Sequence, residues 1–350
     1  MRSYRLVLLF VLLPLLGSAQ FKNLLNHLAE IDSTYLVSYR NDVTARFYFV
    51  SEEINFGVHP PSGDHMLIYK PNNDLKIGFD VFHKWWRIGL AVNNPFAGND
   101  REEKGSSSII DIRLNAYGNA LALDLSIQDQ SGFFLKNMEE IYPGWNLGDE
   151  FPPWNPGDEY PQRSDMHIFS LGAIVYYIHN YKKHSFKGAF IHNERQLKSS
   201  GSFIVSPSFV YLKMSSNYTL IPLFYTDAYN IPEEEQLQSG KFLTFGISAG
   251  YSYTYVLNKS FYVSLSFIPG VFLQSYKYET YAQTIKGSNP TFLWTGRSAI
   301  GYNGTKFYLG LGGIWGFKNT RLDIGQSNFN YDMNQIRLWI GTRFNVPRKR

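Results

Sequence analysis

The chain contains no cysteine in 350 residues. That excludes a disulfide framework, thiolate chemistry and a lipid-modified cysteine following a signal sequence. After the first residues it also lacks any apolar run near the roughly 20 residues that a membrane-spanning helix needs. Charge of either sign is scarce in excess: 33 Lys and Arg stand against 29 Asp and Glu, a net +4. So balanced a chain is not that of a nucleic-acid binder. Eight histidines are scattered, and none forms an H-x-x-x-H or H-E-x-x-H pair, so no zinc motif is present and no cofactor is called for.

The one apolar run is at the start. Arg2 and Arg5 precede the apolar stretch 6–16, and Gly17-Ser18-Ala19 supplies small residues before a cut ahead of Gln20. This is the pattern of a secretory signal, too short for a membrane anchor. Losing the two arginines lowers the net charge from +4 to +2. The remainder divides into an N-terminal periplasmic segment (20–42), a β-barrel (43–344) and a basic tail (345–350). Within the first, Leu24, Leu25, Leu28 and Ile31 share one face of a short helix over 21–31.

Aromatics, in contrast, are abundant: 25 Tyr and 27 Phe. The clearest stretch is 242–257. Leu243, Phe245, Ile247, Ala249, Tyr251, Tyr253, Tyr255 and Leu257 alternate with Thr244, Gly246, Ser248, Gly250, Ser252 and Thr254. A period of two means a strand, and its length, small polar face and bunched aromatics suit a membrane-barrel strand. Similar alternation marks 43–49, 75–81, 86–92, 110–116, 121–127, 166–179, 185–194, 202–212, 261–276, 292–302, 306–317 and 335–344. A further segment near 218–226, weakened by Pro222, makes fourteen, the even count a barrel with both termini inside requires. Twelve is the alternative if two segments do not cross. Short turns at 83–84, 117–119, 258–259 and 303–304 nearly alternate with long loops at 93–105, 136–165, 227–239 and 279–289. Short periplasmic turns and long outer loops are the habit of outer-membrane barrels. The fold expected is an all-β, antiparallel, transmembrane outer-membrane barrel, with outer-membrane lipid as its surroundings. Tyr251, Tyr253 and Tyr255, beside a short turn, are expected in the periplasmic girdle.

Five short motifs carry a resemblance. They are Tyr69-Lys70-Pro71-Asn72; Lys104-Gly105 followed by Asp111; Gly132-Phe133-Phe134; Ser199-Ser200-Gly201-Ser202-Phe203; and Gly250-Tyr251-Ser252-Tyr253. In this order they resemble an uncharacterised outer-membrane barrel family of Bacteroidota, domain of unknown function 4421. The resemblance implies a barrel in the outer membrane and no activity, so no functional residue is carried over. The amphipathic last strand, with Ile336, Leu338, Ile340 and Phe344 on one face, looks like the signal read by the barrel assembly machinery.

Three constellations are candidates for function. Arg46, Lys76, Asp80, Arg87, Asp111, Arg113, Asp124, Arg297, Arg337 and Arg343 all fall on strand faces expected to point into the lumen. Mixed signs there suit a salt-bridged filling, or the eyelet of a narrow pore. In the loop, Trp145, Asp149 and Glu150 return nine residues on as Trp154, Asp158 and Glu159. Such a repeat offers stacking and oxygen ligands to an extracellular ligand, or is a tolerated duplication. Gly246-Ile247-Ser248-Ala249-Gly250 matches the nucleophile elbow G-x-S-x-G, but lies inside a strand where that motif cannot work. The functional classes that remain are a structural or surface-binding protein and a passive channel. A lipid-modifying enzyme, using a lumen His with a Ser, ranks last because no catalytic motif sits in a credible context.

Overall fold

A computed structural model describes residues 30–72, 75–84, 86–94, 100–142, 154–324 and 327–345. The signal at 1–19, the helix expected over 21–31 apart from its last two residues, and the tail beyond Asn345 lie outside the described residues.

Fifteen strands occur among the described residues. In chain order they are β1 (Leu36–Ser38), β2 (Val43–His59), β3 (Leu67–Lys70), β4 (Leu75–His83), β5 (Trp86–Asn93), β6 (Ser108–Tyr117), β7 (Leu121–Leu135), β8 (Gln162–Ile178), β9 (Glu194–Gln196), β10 (Ser200–Ser215), β11 (Leu237–Leu257), β12 (Phe261–Thr280), β13 (Thr284–Asn303), β14 (Phe307–Ile324) and β15 (Ser327–Phe344). Twelve of them form a closed antiparallel wall, because β15 returns to pair with β2 from Asn328↔His59 to Phe344↔Val43. Closure leaves no strand edge unpaired in the membrane, which is what a bilayer demands of a sheet.

The outward faces are apolar and bare. Ile88, Leu90, Phe79, Phe203, Leu265, Phe267 and Ile340 are all exposed although large and hydrophobic. A water-soluble monomer does not display a continuous belt of this kind; a lipid-facing barrel does. Tyr251, Tyr253 and Tyr255 are exposed at the end of the barrel where β2 begins and β15 ends, with Phe203 edge-on to Tyr251 and Phe261 against Tyr302. Following the usual orientation, this is termed the inner end.

Twelve strands, rather than fourteen, cross. The segment 185–194 is not a wall strand: 185–193 form no strand, Glu194 only opens the short β9, and both belong to a stretch from 179 to 199 that turns back into the lumen. Its alternating pattern reflects packing against the barrel interior, which a period-two reading cannot tell from a wall. The segment near 218–226 is turn and helix: α3 (Leu223–Tyr229) follows α1 (Arg101–Lys104) and α2 (Met138–Ile141) in the outer loops. The loop expected at 279–289 is instead strand on both sides of a turn at 281–283. Once a strand leaves the bilayer both its faces meet water, so Lys241, Ser275 and Lys286 carry no alternation of hydropathy to mark it. Short β3 is outside the twelve-membered ring. It pairs with the outer ends of β2 and β7, bridging the gap above the shorter β4, β5 and β6.

Close aromatic contacts fix the wall internally. Gly78 faces Tyr48 across β4 and β2, and a Cβ on Gly78 would sit 2.1 Å from the Tyr48 ring. Gly78→Val is therefore expected to displace Tyr48 and to cost about 1–3 kcal/mol by overpacking, read from the urea midpoint in detergent micelles. An unchanged midpoint would mean that Tyr48 can move freely.

Candidate functional site

The lumen is the site, and it is occupied at three levels. At the inner end, the stretch 179–199 folds up into the barrel. Phe186, Phe190 and Ile191 pack against Phe82, Tyr117, Tyr176, Ile204 and Ile268 of the wall. The wall also holds this plug by its backbone. Arg46 donates to the Phe190 carbonyl; Tyr262 Oη donates to the Ala189 carbonyl at 2.9 Å; Asn303 Nδ2 donates to the Glu194 carbonyl at 2.9 Å; and Arg343 Nε donates to the His192 carbonyl at 3.0 Å. The His192 ring stacks on Tyr308 at 4.4 Å, with Nε2 2.9 Å from Tyr262 Oη. Lys187 Nζ lies 3.0 Å from both Glu194 and the Gly118 carbonyl. Outside the plug, β1 pairs with β9, so the described part of the N-terminal segment lies against the base of the plug.

Two histidines of the plug are held neutral by burial. His184 is pushed down to about 4, and His192 well below its ordinary value, with Arg46 and Arg343 adding to the effect and Asp80 opposing it. The unfolded value is about 6.5, so below it the released segment binds more protons than the docked one. Docking is at full strength above that pH and weakens as pH falls toward 4. Proteolytic cleavage within 179–199 is expected to rise between pH 7.5 and pH 4.5. The double variant His184→Asn, His192→Gln should flatten that rise; equal pH dependence in the variant would clear the histidines.

Above the plug lies a layer of charge. Asp80 accepts from Arg46 Nη2 and from Arg87 Nη2, each at 2.7 Å. Glu52 accepts from Lys76 and, at 2.7 Å, from Arg113, which also donates to Asp111 at 2.7 Å. Asn115 links the groups, accepting from Arg87 at 2.9 Å and donating to Asp124 at 2.8 Å. Asp124 further accepts from Tyr117 Oη at 2.5 Å and lies 3.5 Å from Arg297, which donates to Tyr176 Oη. Arg337 lies over the Tyr48 ring at 4.3 Å. A cavity of about 80 Å³ remains among Arg87, Arg113, Asp124, Arg297, Gln335 and Arg337, room for a few waters.

All ten charged residues expected in the lumen point inward, but they do two jobs. Nine belong to or adjoin this layer. Arg343 instead clamps the plug at the inner mouth, its guanidinium 3.9 Å from the centre of the Tyr39 ring. Asp111 and Arg113 pair with each other and with Glu52, whereas Asp124 is reached through Asn115. Sequence reading missed Glu52, because it sits past the alternating part of β2, and it missed the role of the plug residues because their alternation was read as a wall strand. Ser252 of β11, on the small polar face of that strand, receives His184: Nε2 is 3.1 Å from Ser252 Oγ, and both residues are about 1% exposed. Ser248 lies mid-strand opposite Gly270, with no elbow.

The third level closes the outer end. Leu220, Ile221, Tyr225 and Ile231 pack with Met138 and Ile141 of α2, Leu67 and Tyr69 of β3, and inward residues such as Phe56, Met166, Leu212 and Phe242. Tyr225 Oη accepts from the His65 backbone N–H at 2.9 Å, and Tyr69 Oη donates to the Leu220 carbonyl.

A family model described as "Domain of unknown function (DUF4421)" matches residues 30–344. The chain belongs to that family. No curated protein matches it in sequence. Among solved structures, the outer membrane protease OmpT from Escherichia coli is similar over 88% of this chain and 98% of its own, at 7% identity and a TM-score of 0.37. The β domain of the Bordetella autotransporter BrkA is similar over 88% and 100%, at 8% identity and 0.36. The Pseudomonas putida toluene transporter TodX is similar over 88% and 91%, at 8% identity and 0.27.

On the outer surface of this DUF4421 barrel, Lys70, Asn72, Lys104, Lys136, Glu139 and Tyr160 line a cleft of about 430 Å³. The second copy of the loop repeat borders it. Trp154 packs on Tyr160 at 5.1 Å, Phe134 meets Tyr160 edge-on, and Asp158 accepts from the Asn155 backbone N–H at 2.7 Å. Trp154 and Asp158 thus shape the loop itself, while Glu159 is exposed. Trp145, Asp149 and Glu150 lie outside the described residues. Among the described residues no three His, Asp or Glu side chains converge where a metal ion could sit.

Proposed function

We propose that this protein is a non-conducting barrel of the outer membrane whose working surface is its capped outer mouth, a platform for binding at the cell surface. One observation carries this: the lumen is filled by a tied-in plug, a charge layer and an apolar cap in succession. A passive channel needs a continuous wet path, and the remaining central cavity holds only a few waters. Enzyme chemistry is disfavoured by the sealing of the Ser252–His184 pair away from lipid and water.

Purified protein in a planar bilayer is expected to give no single-channel steps; steady, reproducible steps would overturn the reading. Protease applied to intact cells is expected to cut within the exposed outer-loop residues 155–159 and to spare 179–199. Cleavage only after the outer membrane is opened would remove the surface platform.

A further inference from the structure

Four lysines stand in a single row across the outside of the barrel. In register, Lys213 of β10 faces Lys241 of β11, Lys241 faces Lys277 of β12, and Lys277 faces Lys286 of β13. With strands about 4.8 Å apart, the row is about 14 Å long. It continues the lipid-facing side of each strand. The row beneath it is Tyr211, Leu243, Ser275 and Ser288, and beneath that come Phe209, Phe245, Leu273 and Pro290.

Height places the row. Lys241 lies fourteen residues from Tyr255 of the inner girdle. At about 3.3 Å per residue and a tilt near 45°, that is roughly 33 Å, an apolar band of about 25 Å plus a headgroup layer. The lysines therefore stand at the outer headgroup level.

Among the described residues, a single carboxylate answers the four lysines. Like charges directly opposite each other on neighbouring strands are destabilising, and here it happens three times in succession. One carboxylate is at hand: Glu279, 2.7 Å from Lys277 Nζ, which also accepts from Ser239 and attracts Lys241. Lys213 and Lys286 form no ion pair among the described residues. One residue row further down begins an apolar groove of about 560 Å³, lined by Pro207, Phe245, Ile247, Val271, Leu273 and Pro290 and open to the lipid side. Each proline lacks the bulk of the neighbouring aromatics, which is what hollows the wall there.

We propose that the row and the groove together bind a phosphate-bearing, acylated glycolipid of the outer leaflet, its phosphates on Lys213, Lys241, Lys277 and Lys286 and an acyl chain in the groove. Cations at the right height supply the charge, and the groove lower on the same face selects a lipid over a free anion. The inference rests on the outer-membrane placement proposed above, which protease shaving of cells tests separately.

The test is thermal unfolding of the full barrel in neutral detergent micelles, titrated with diphosphorylated lipid A, the same lipid stripped of phosphate, or inorganic phosphate. The melting temperature is expected to rise with diphosphorylated lipid alone. Replacing all four lysines by Gln should raise the lipid concentration at half-effect at least tenfold, and replacing them by Arg should preserve it. Heat-modifiable migration on a gel checks that each variant is folded; if the four-Gln variant does not fold, K213Q/K286Q is read instead with an expected severalfold increase. The proposal is overturned by no shift in the native protein, by an equal shift with phosphate-free lipid or inorganic phosphate, or by an unchanged response in the Gln variants.

Discussion

Removing both closures, and neither alone, is expected to make this barrel conduct. Residues 182–199 can be replaced by a short Gly-Ser turn, since Asn180 already donates to the Gly201 carbonyl and to Ser202 Oγ across the gap. Residues 216–238 can be replaced by a two-residue hairpin turn, because Ser215 and Ser239 are direct cross-strand partners. The first change removes the plug, and the second removes Leu220, Ile221, Tyr225 and Ile231 from the outer cap. These obstacles are in series, so one remaining seal suffices to block current. With both gone, the narrowest level is the charge layer. It holds Arg46, Lys76, Arg87, Arg113, Arg297 and Arg337 against Glu52, Asp80, Asp111 and Asp124, an excess of two positive charges. Cationic constrictions favour anions. The double variant should therefore show steady steps whose reversal potential in a KCl gradient lies toward chloride, while each single variant stays silent. Conduction by the plug deletion alone would show that the outer cap leaks. A folded but silent double variant would make the charge layer a seal in its own right.

Much of this architecture was legible in the sequence, and the illegible parts have a common cause. Alternation of hydropathy exists only where one face of a strand meets lipid and the other the lumen. Within that height, Leu243–Leu257 and Trp86–Val92 identify themselves. Above it the same strands run on unmarked, as β12 and β13 do to a turn at 281–283. Inside the lumen the rule misleads. The stretch 185–194 mimics a strand because its apolar residues face wall aromatics and its polar Lys187 and His192 face Asn119 and Tyr262. The lumen charges could be assigned to a face by parity alone, but their partners could not. Parity says that Asp80 points inward; only the register, with Arg46 opposite Asp80 and Arg87 two residues before Asp80's other partner, Gly89, says who answers it. The lysine row is a pure product of register, since four residues spread over some seventy positions become neighbours only when four strands align.

Asp80→Ala is expected to destabilise the barrel by about 3–5 kcal/mol, the usual cost of stripping one partner from a buried ion pair. Asp80 is buried, and its oxygens accept from Arg46 at 3.2, 3.1 and 2.7 Å and from Arg87 at 2.7 Å. Losing the carboxylate leaves two guanidinium groups in the lumen with no negative charge between them. The consequence reaches the plug, because Arg46 also donates to the Phe190 carbonyl, and freeing its other arm loosens that clamp. Asp80→Ala should therefore also increase cleavage within 179–199 at neutral pH, which a purely local defect would not do. Glu53→Gln is the control. Its pair with Lys136 is at 3.4 Å with both side chains about half-exposed, and such surface pairs contribute at most about 1 kcal/mol. Adding Arg46→Met to Asp80→Ala should cost less than the sum of the two single changes, since each removes the group that the other leaves unpaired. Urea unfolding in micelles measures all four variants. If Asp80→Ala behaves like Glu53→Gln, water reaches this layer freely enough to screen it, and the lumen is wetter than its side-chain packing implies.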